Sequence, residues 1–290
     1  INNVTAADDS SITNSGGGLI EGNVLGGSNS TIEFTDGAIV SGGISTGAGT
    51  LGTFTGDTAI AGNVIGSGST LLFNGLTTIG QNVSGSETNF QFSQGQLTTI
   101  KGDVQLSGNS TLQGGTTVTP IEISGNAVVN DGAVLGGNLS VGGALRGTGG
   151  TLSPGNSIGT QSFGTSAGFS GNFEVEVNSA GQSDLVIIQS GDIDLSAINL
   201  TVEQESVNGV ANGGYVVNQN YTIVQTLDGD VLEEFATENL GDSFTNTLVN
   251  LDPVQYGGQE VNISLSVDAG KVSAAREGLS TNQNQTLDGV

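Results

Sequence analysis

The stretch AIAGNVIGSGSTLLF at residues 59–73 decides the fold, because its apolar pattern recurs about every twenty residues through the first hundred. Three apolar columns keep this step. The columns are Val24, Ile44, Val64, Val83 and Val104; Phe34, Phe54, Phe73, Phe92 and then Leu112; and Ile20, Ile39 or Val40, Ile60, Ile79 and Ile100. Columns in register, separated by Gly, Ser, Thr and Asn, indicate one unit stacked on copies of itself.

Short apolar bursts between glycine and asparagine corners predict very short strands. Such strands bury a face only when coil stacks on coil, each coil rising by about 4.8 Å. The sequence therefore predicts an all-β fold, a right-handed parallel β-helix with coils of about twenty residues. Phe34, Phe54, Phe73 and Phe92 then form an interior aromatic ladder, and corner Asn and Ser side chains can hydrogen-bond from coil to coil. A β-propeller needs about twice this period. A leucine-rich-repeat horseshoe shares the period, but its Leu-x-x-Leu-x-Leu pattern is missing.

The second half of the chain has a different texture. From 121 to 152 the apolar spacing shortens, which predicts smaller coils or a tapering β-helix. After residue 160, longer alternating strands predict a β-sandwich-like cap that covers the edge of the last coil. These strands are 172–177, 184–188, 198–202, 221–224 and 261–267. We expect β-helix coils over 1–150, C-terminal coils and a cap over 151–270, and a polar helix or linker over 271–290.

The charge limits the classes of partner. With 4 basic and 28 acidic residues and a net charge of −24, the chain has no basic surface for nucleic acid or anionic lipid. The simplest interpretation of the acidic residues is a solvated surface, since the calcium-binding nonapeptide pattern is missing. No apolar run approaches the length of a membrane span, so we expect no direct membrane insertion.

Catalytic chemistry has few residues to draw on. Without His or Cys, the usual Ser-His-Asp triads, Cys-His pairs and zinc sites cannot form. Gly241-Asp242-Ser243 resembles an esterase block only faintly, and Glu174 and Glu176 fit the wet face of a strand. We expect no enzyme activity, no catalytic residue, no cofactor and no metal. The missing cysteines favour a chain that crosses an envelope unfolded, and the lack of a signal peptide predicts a fragment of a longer protein.

One segment carries a family resemblance. Residues 150–160 read GTLSPGNSIGT and resemble the L-x-PGNSIGT motif in the passenger of bacterial autotransporters (type V secretion). Downstream, 181–185 is similar to the family's G-x-S-D-x-L turn, and Asn282-Gln283 with Leu287 is similar to the segment ahead of the translocator barrel. The resemblance covers roughly 145–290, and it departs at the end, where the barrel strands are missing. The motif residues are Leu152, Pro154, Gly155, Asn156, Ser157, Ile158 and Gly159.

The resemblance implies a surface-exposed passenger stem that leaves through its own C-terminal outer-membrane β-barrel, C-terminus first, with the barrel assembly machinery as a second partner. Its place is then the bacterial cell surface or outer membrane, or the medium after cleavage. Folding of the C-terminal coils and cap would drive export, and Leu185→Asp is expected to abolish display. The expected nucleating residues are Leu152, Ile158, Phe173, Val175, Leu185, Ile187 and Ile223.

Two alternatives stay open. The chain is an adhesin or self-association module that binds a host receptor or itself through the flank of the β-helix, where Asn, Thr and Ser recur side by side. More remotely, it is the stalk of a secreted enzyme whose catalytic part lies upstream. In both, the repeat is a scaffold along an axis.

Overall fold

The computed structural model describes residues 2–207, 210–211, 215–240, 244 and 247–276. It shows the predicted nearly all-β chain, a parallel β-solenoid of about eight turns with coils of about twenty residues. The short strands of the first coils are β1 (Val4–Ala6), β2 (Ser11–Ser15), β3 (Gly18–Ile20), β4 (Val24–Gly26), β5 (Thr31–Thr35), β6 (Ala38–Val40), β7 (Ile44–Thr46), β8 (Leu51–Thr55), β9 (Thr58–Ile60), β10 (Val64–Ser67), β11 (Thr70–Asn74), β12 (Thr77–Ile79), β13 (Val83–Ser86), β14 (Asn89–Phe92), β15 (Thr98–Ile100), β16 (Val104–Ser107), β17 (Thr111–Gln113) and β18 (Ile121–Ile123). The strands that follow are β19 (Ala127–Val129), β20 (Val134–Gly137), β21 (Leu139–Pro154), β22 (Thr160–Val177), β23 (Leu185–Ile188), β24 (Ile193–Asp194), β25 (Ile198–Gln204), β26 (Ser206–Val207), β27 (Val210–Ala211), β28 (Asn220–Thr226), β29 (Val231–Leu232), β30 (Thr237–Asn239), β31 (Val249–Leu251), β32 (Gln255–Tyr256) and β33 (Glu260–Val267).

The short strands stack in three parallel columns, one for each side of the coil. The columns are β1, β4, β7, β10, β13, β16 and β19; β2, β5, β8, β11, β14, β17 and β20; and β3, β6, β9, β12, β15 and β18. Their registers confirm the first and third apolar columns, since Val64 lies between Ile44 and Val83. In the third column Val40 points inward and is 1% exposed, whereas Ile39 is 56% exposed.

The predicted aromatic ladder is confirmed. Phe34, Phe54, Phe73 and Phe92 are buried, and successive ring centroids lie 5.5, 4.9 and 4.9 Å apart with the rings nearly parallel. Each ring therefore fills the interior of its own coil and packs on the coils above and below it. Stacking of this kind adds about 0.5–1.5 kcal/mol per pair to the free energy of burial.

The predicted end of this ladder is wrong. Leu112 pairs with Phe90, two residues before Phe92. This coil is 22 residues long, because its corners contain extra residues, and residue 90 therefore lies beside residue 112. The residue that follows Phe92 in the column is Gly114. A Cβ atom on Gly114 would lie 2.8 Å from the Cβ atom of Phe92. The ladder therefore stops at Phe92, and the next coil has a glycine instead of an aromatic residue at this position of the column.

The corner amides join coil to coil, as predicted. Each side-chain oxygen accepts a hydrogen bond of 2.7–3.0 Å from the backbone N–H of the corner residue in the next coil. The residues that accept are Asn3, Asn23, Asn63, Asn82, Asp103 and Asn126. Each of these bonds comes from a backbone N–H, so the row satisfies corner N–H groups that the strands leave unpaired, and Asp103 accepts in addition from the Nδ2 of Asn126 at 3.1 Å. Gly43 has no side chain and interrupts it.

One shorter coil begins at residue 121, in place of the predicted run of smaller coils, since residue 139 already lies beside residue 161, a step of 22. Residue 121 lies beside residue 139, a step of 18, after a step of 23 from residue 100 to residue 123. From here the corners merge into long strands, because β21 pairs in turn with β18, β19 and β20. β22 then lies along β21 with three shifts of register. Through these two strands the solenoid continues into the second half of the chain, and its hydrophobic core is continuous there.

The cap is a continuation of the coils closed by one antiparallel strand. β23 and β25 lie parallel to β22, and β28 lies parallel to β23. The other edge of β28 pairs with the antiparallel β33, which also pairs with β31 and β32. The edge of the last parallel coil is thus covered at β28, which limits edge-to-edge aggregation. A short helix at 269–276 follows, and no helix among the described residues is long and apolar enough to cross a membrane.

Candidate functional site

The PGNSIGT segment forms a tight turn between β21 and β22. Gly155 has φ +83°, the left-handed conformation that the predicted turn requires at this position. The chain then doubles back so closely that a Cβ atom on Gly159 would lie 2.4 Å from the Cα atom of Gly155. Pro154 is buried and Asn156 is exposed. The two glycines are therefore required by a close approach of backbone to backbone.

Asp184 ties this turn to the next coil. The carboxylate is buried, and its Oδ1 accepts from the N–H of Gly159 at 2.7 Å while Oδ2 accepts from the N–H of Glu176 at 2.8 Å. The backbone completes the contact, since the N–H of Leu185 donates to the carbonyl of Gly159 at 3.0 Å. One side chain thus joins the PGNSIGT turn, the end of β22 and the start of β23.

Two polar side chains support the turn from the coil below. The Oδ1 of Asn138 accepts from the N–H of Thr160 at 2.9 Å. Gln161 is fully buried, and its Nε2 donates to the carbonyls of Leu135 and Gly137 at 2.8 and 3.3 Å. Both carbonyls belong to β20, so Gln161 joins β22 to the coil below, where the carbonyl of Gly137 also accepts from the N–H of Gly155 at 2.9 Å. Ser157 also hydrogen-bonds to Glu205, which lies 48 residues further along the chain.

The electrostatics at this junction favour the neutral form of Asp184. Burial raises the pKa of Asp184 from 3.8 to about 8, and the nearby carboxylates of Glu176 and Glu205 add to the rise. The N–H groups of Glu176 and Gly159 act against it and lower the pKa. No arginine or lysine is among the causes of the shift. The junction is therefore a buried acid held by backbone donors and surrounded by like charge.

This pKa predicts a pH dependence of stability. Because the pKa in the folded state lies above 3.8, the folded chain holds a proton that the unfolded chain releases between about pH 4 and pH 8. The contribution of Asp184 is fully present below about pH 4 and is lost as the pH rises through about 8, at up to about 1.4 kcal/mol per pH unit. Urea unfolding followed across this range measures it.

The Asp184→Asn variant is the control for this measurement, because the amide does not titrate. The other acidic residues stay in both proteins, so the difference between their stability curves isolates Asp184. We expect that difference to change with pH. Parallel curves for the wild type and the variant would contradict the prediction.

The expected nucleating residues divide into two groups. Leu152, Phe173, Val175 and Ile223 are buried at 2% exposure or less, as a nucleus requires. Leu185 and Ile187 are only half-buried, and their role in nucleation stays a prediction. Val186 and Ile188 point inward instead, at 1% and 0% exposure. Ile158 is also half-buried.

Sequence reasoning did not find Asp184, Asn138 or Gln161. A signal existed for Gln161, since this polar residue interrupts an apolar column between Leu139 and Val186. Of the catalytic alternatives, Glu174 is exposed on the wet face, as expected, and Gly241-Asp242-Ser243 lies outside the described residues, as does the segment from Asn282 to Leu287. Within the described ranges no three His, Cys, Asp or Glu residues group as a metal site.

The chain matches no protein-family model and no curated protein sequence. Its fold and the junction at the PGNSIGT turn are therefore the basis for any functional conclusion. The β-solenoid fits a passenger-like or adhesive extracellular domain.

Proposed function

We propose that this chain is the surface-exposed stem of an autotransporter passenger, and that its C-terminal coils and cap nucleate folding during export across the outer membrane. One observation carries the proposal: Asp184 holds the PGNSIGT turn through the N–H of Gly159 at 2.7 Å. The two segments that resemble the family's motifs in sequence order are thus joined in space. A parallel β-solenoid upstream agrees with a passenger of this class.

The architecture supplies a physical reason for this role. In a solenoid each coil contacts its neighbours, so a folded coil is the template for the next one. If the C-terminus leaves the barrel first, β33 and β28 pair before the coils upstream emerge. Each added coil then buries more apolar surface outside the membrane, which makes backsliding costly. The partners would be the chain's own outer-membrane barrel and the barrel assembly machinery, at the bacterial cell surface.

A display experiment tests the proposal with two matched core variants. Ile188 in β23 and Val64 in β10 are both fully buried, and an aspartate at either site leaves an unpaired charge in the core. With the chain fused to an autotransporter barrel in a Gram-negative host, we expect Ile188→Asp to lose surface display. Val64→Asp should still reach the surface, because it disrupts coils that emerge later. Protease shaving of intact cells measures display.

The outcomes of this experiment distinguish C-terminal nucleation from a general requirement for a folded core. Equal loss in both variants would indicate a general requirement for a folded core and would contradict C-terminal nucleation. Normal display of Ile188→Asp would contradict it too. The half-buried Leu185 is a weaker site for this test, since an aspartate there can reach solvent.

A second candidate function is self-association through the flank of the solenoid. The outward positions Ile39, Ala59, Thr78 and Thr99 follow one another along β6, β9, β12 and β15 and carry no charge. In a chain of net charge −24, two copies approach best where charge is missing. Sedimentation of the wild type against Ile39→Asp tests this function. A monomer at all concentrations would contradict it.

A further inference from the structure

The solenoid has one marked irregularity on its second side, where the aromatic ladder ends. Gly114 has φ +150°, and a Cβ atom there would lie 2.6 Å from the carbonyl oxygen of Phe92. Beyond it the chain leaves the coil as a loop over 115–120, closed by a hydrogen bond of 2.9 Å from the N–H of Thr116 to the carbonyl of Thr119. In repeat proteins, insertions of this kind often form the binding face.

Two adjoining depressions, of about 260 and 220 Å³, lie beside this loop. They share Gln94 and Asn156, so we treat them as one amide groove. Four exposed amides line it, those of Gln91, Gln94, Gln113 and Asn156, together with the buried amide of Asn138, which already accepts from the N–H of Thr160. Thr116, Thr117 and Ser157 add hydroxyl groups, and no lining residue is charged. Each depression alone is smaller than a typical small-molecule site of about 300–1,000 Å³, so a ligand of that size has to lie across both.

The four amides have their hydrogen-bonding groups free. All four side chains are exposed, and none donates or accepts a hydrogen bond among the described residues. A larger depression of about 490 Å³ beside Leu25 and Ile65 differs in this respect. Two of its three amides, Asn23 and Asn63, already accept from the N–H groups of the next coil, and the third, Gln81, is exposed. The amide groove thus has four exposed amides without a protein partner, whereas the larger depression has one.

The chemistry of the amide groove excludes several classes of ligand. The lining has no basic side chain to pair with a phosphate or carboxylate and no carboxylate to offset the charge of a metal ion, so it favours a neutral ligand. A peptide that adds as a strand needs a free sheet edge. β14 has none here, because it pairs with β11 on one side and β17 on the other.

We propose that the amide groove binds a neutral glycan. Each amide offers one carbonyl acceptor and two N–H donors, and each sugar hydroxyl is both donor and acceptor, so adjacent hydroxyls match one side chain. The register places Gln91 directly beside Gln113, and Gln94 and Asn156 flank both depressions. Several residues of a chain of sugars can therefore be bound along the groove. This inference is independent of the proposed export, since it concerns the folded chain alone.

The test uses the purified full chain and a panel of neutral pentasaccharides built from glucose, galactose, mannose or N-acetylglucosamine. Saturation-transfer NMR at up to about 10 mM ligand detects sites of millimolar affinity. We expect at least one neutral glycan to bind. The double variant Gln94→Ala/Gln113→Ala should weaken that binding about tenfold, because it removes two amide partners. Gln105→Ala is the matched control, since Gln105 is an exposed amide on another side of the solenoid.

Three results would overturn the proposal. In the first, no neutral glycan gives a signal. In the second, the double variant binds as well as the wild type, so that the ligand lies elsewhere. In the third, an uncharged peptide of Gly, Ser, Thr and Asn competes as well as the glycan. Circular dichroism confirms that both variants fold, which exposed glutamines on a stacked sheet permit.

Discussion

At about pH 4, where the contribution of Asp184 is fully present, Asp184→Ala is expected to lower the free energy of unfolding by about 4 kcal/mol, because it leaves two N–H groups without an acceptor. These are the N–H groups of Gly159 and Glu176, which donate to its two carboxyl oxygens at 2.7 and 2.8 Å. The void left by the side chain adds to the loss. Tyrosine fluorescence in urea measures it, since all three tyrosines, Tyr215, Tyr221 and Tyr256, lie in the C-terminal part of the chain.

Two controls separate this effect from the loss of a charge. Asp184→Asn keeps one acceptor and should cost about half as much, since an amide donor then faces one of the two N–H groups. Asp194 is an exposed aspartate that accepts from the N–H of Ser196 at 2.9 Å, and Asp194→Ala should cost less than about 1 kcal/mol. Equal losses for Asp184→Ala and Asp194→Ala would show that the junction does not depend on the buried carboxylate.

The sequence predicted the solenoid because a short strand with one buried face has a regular alternation of apolar and polar residues. Side chains alternate between core and solvent with a period of two, so the position of Val64 or of Phe73 is apolar in most coils. Counting from coil to coil then gives the register. That method failed at Leu112 for a physical reason. The corner took two extra residues, and Phe90 and Phe92 both point inward, so a step of twenty selected the wrong one.

The candidate site was harder to predict than the fold. Residues 185–188 are all apolar, so alternation cannot decide which of them face the core. The register with β22 decides it by placing Ile188 beside Phe163. The burial of Asp184 could not be predicted from the sequence either, because an aspartate in a polar turn is usually exposed. Its partner Gly159 lies 25 residues away, and this contact exists only once the coil has closed.

Phe73→Ala is expected to lower the stability of the N-terminal coils by about 3–5 kcal/mol, because it empties the centre of the aromatic ladder. Phe73 is fully buried and stacks on Phe54 and Phe92, each at a centroid distance of 4.9 Å. Phe92→Ala is the matched control. Phe92 has a ring on one side only and is 5% exposed, so its truncation should cost less.

Because all three tyrosines lie in the C-terminal part of the chain, Phe73→Ala can also show whether the loss of stability in the N-terminal coils extends to the cap. In a solenoid, stability is approximately a sum over coils and their interfaces, so a defect at residue 73 should melt its neighbours before it reaches the cap. We expect Phe73→Ala to shift the unfolding transition seen by circular dichroism to lower urea, while tyrosine fluorescence, which reports on the cap alone, stays near the wild-type midpoint. A common shift of both signals would mean that the whole rod unfolds as one cooperative unit. It would also remove the physical basis for a cap that folds first, since coils and cap would then have no independent stabilities for export to use in order.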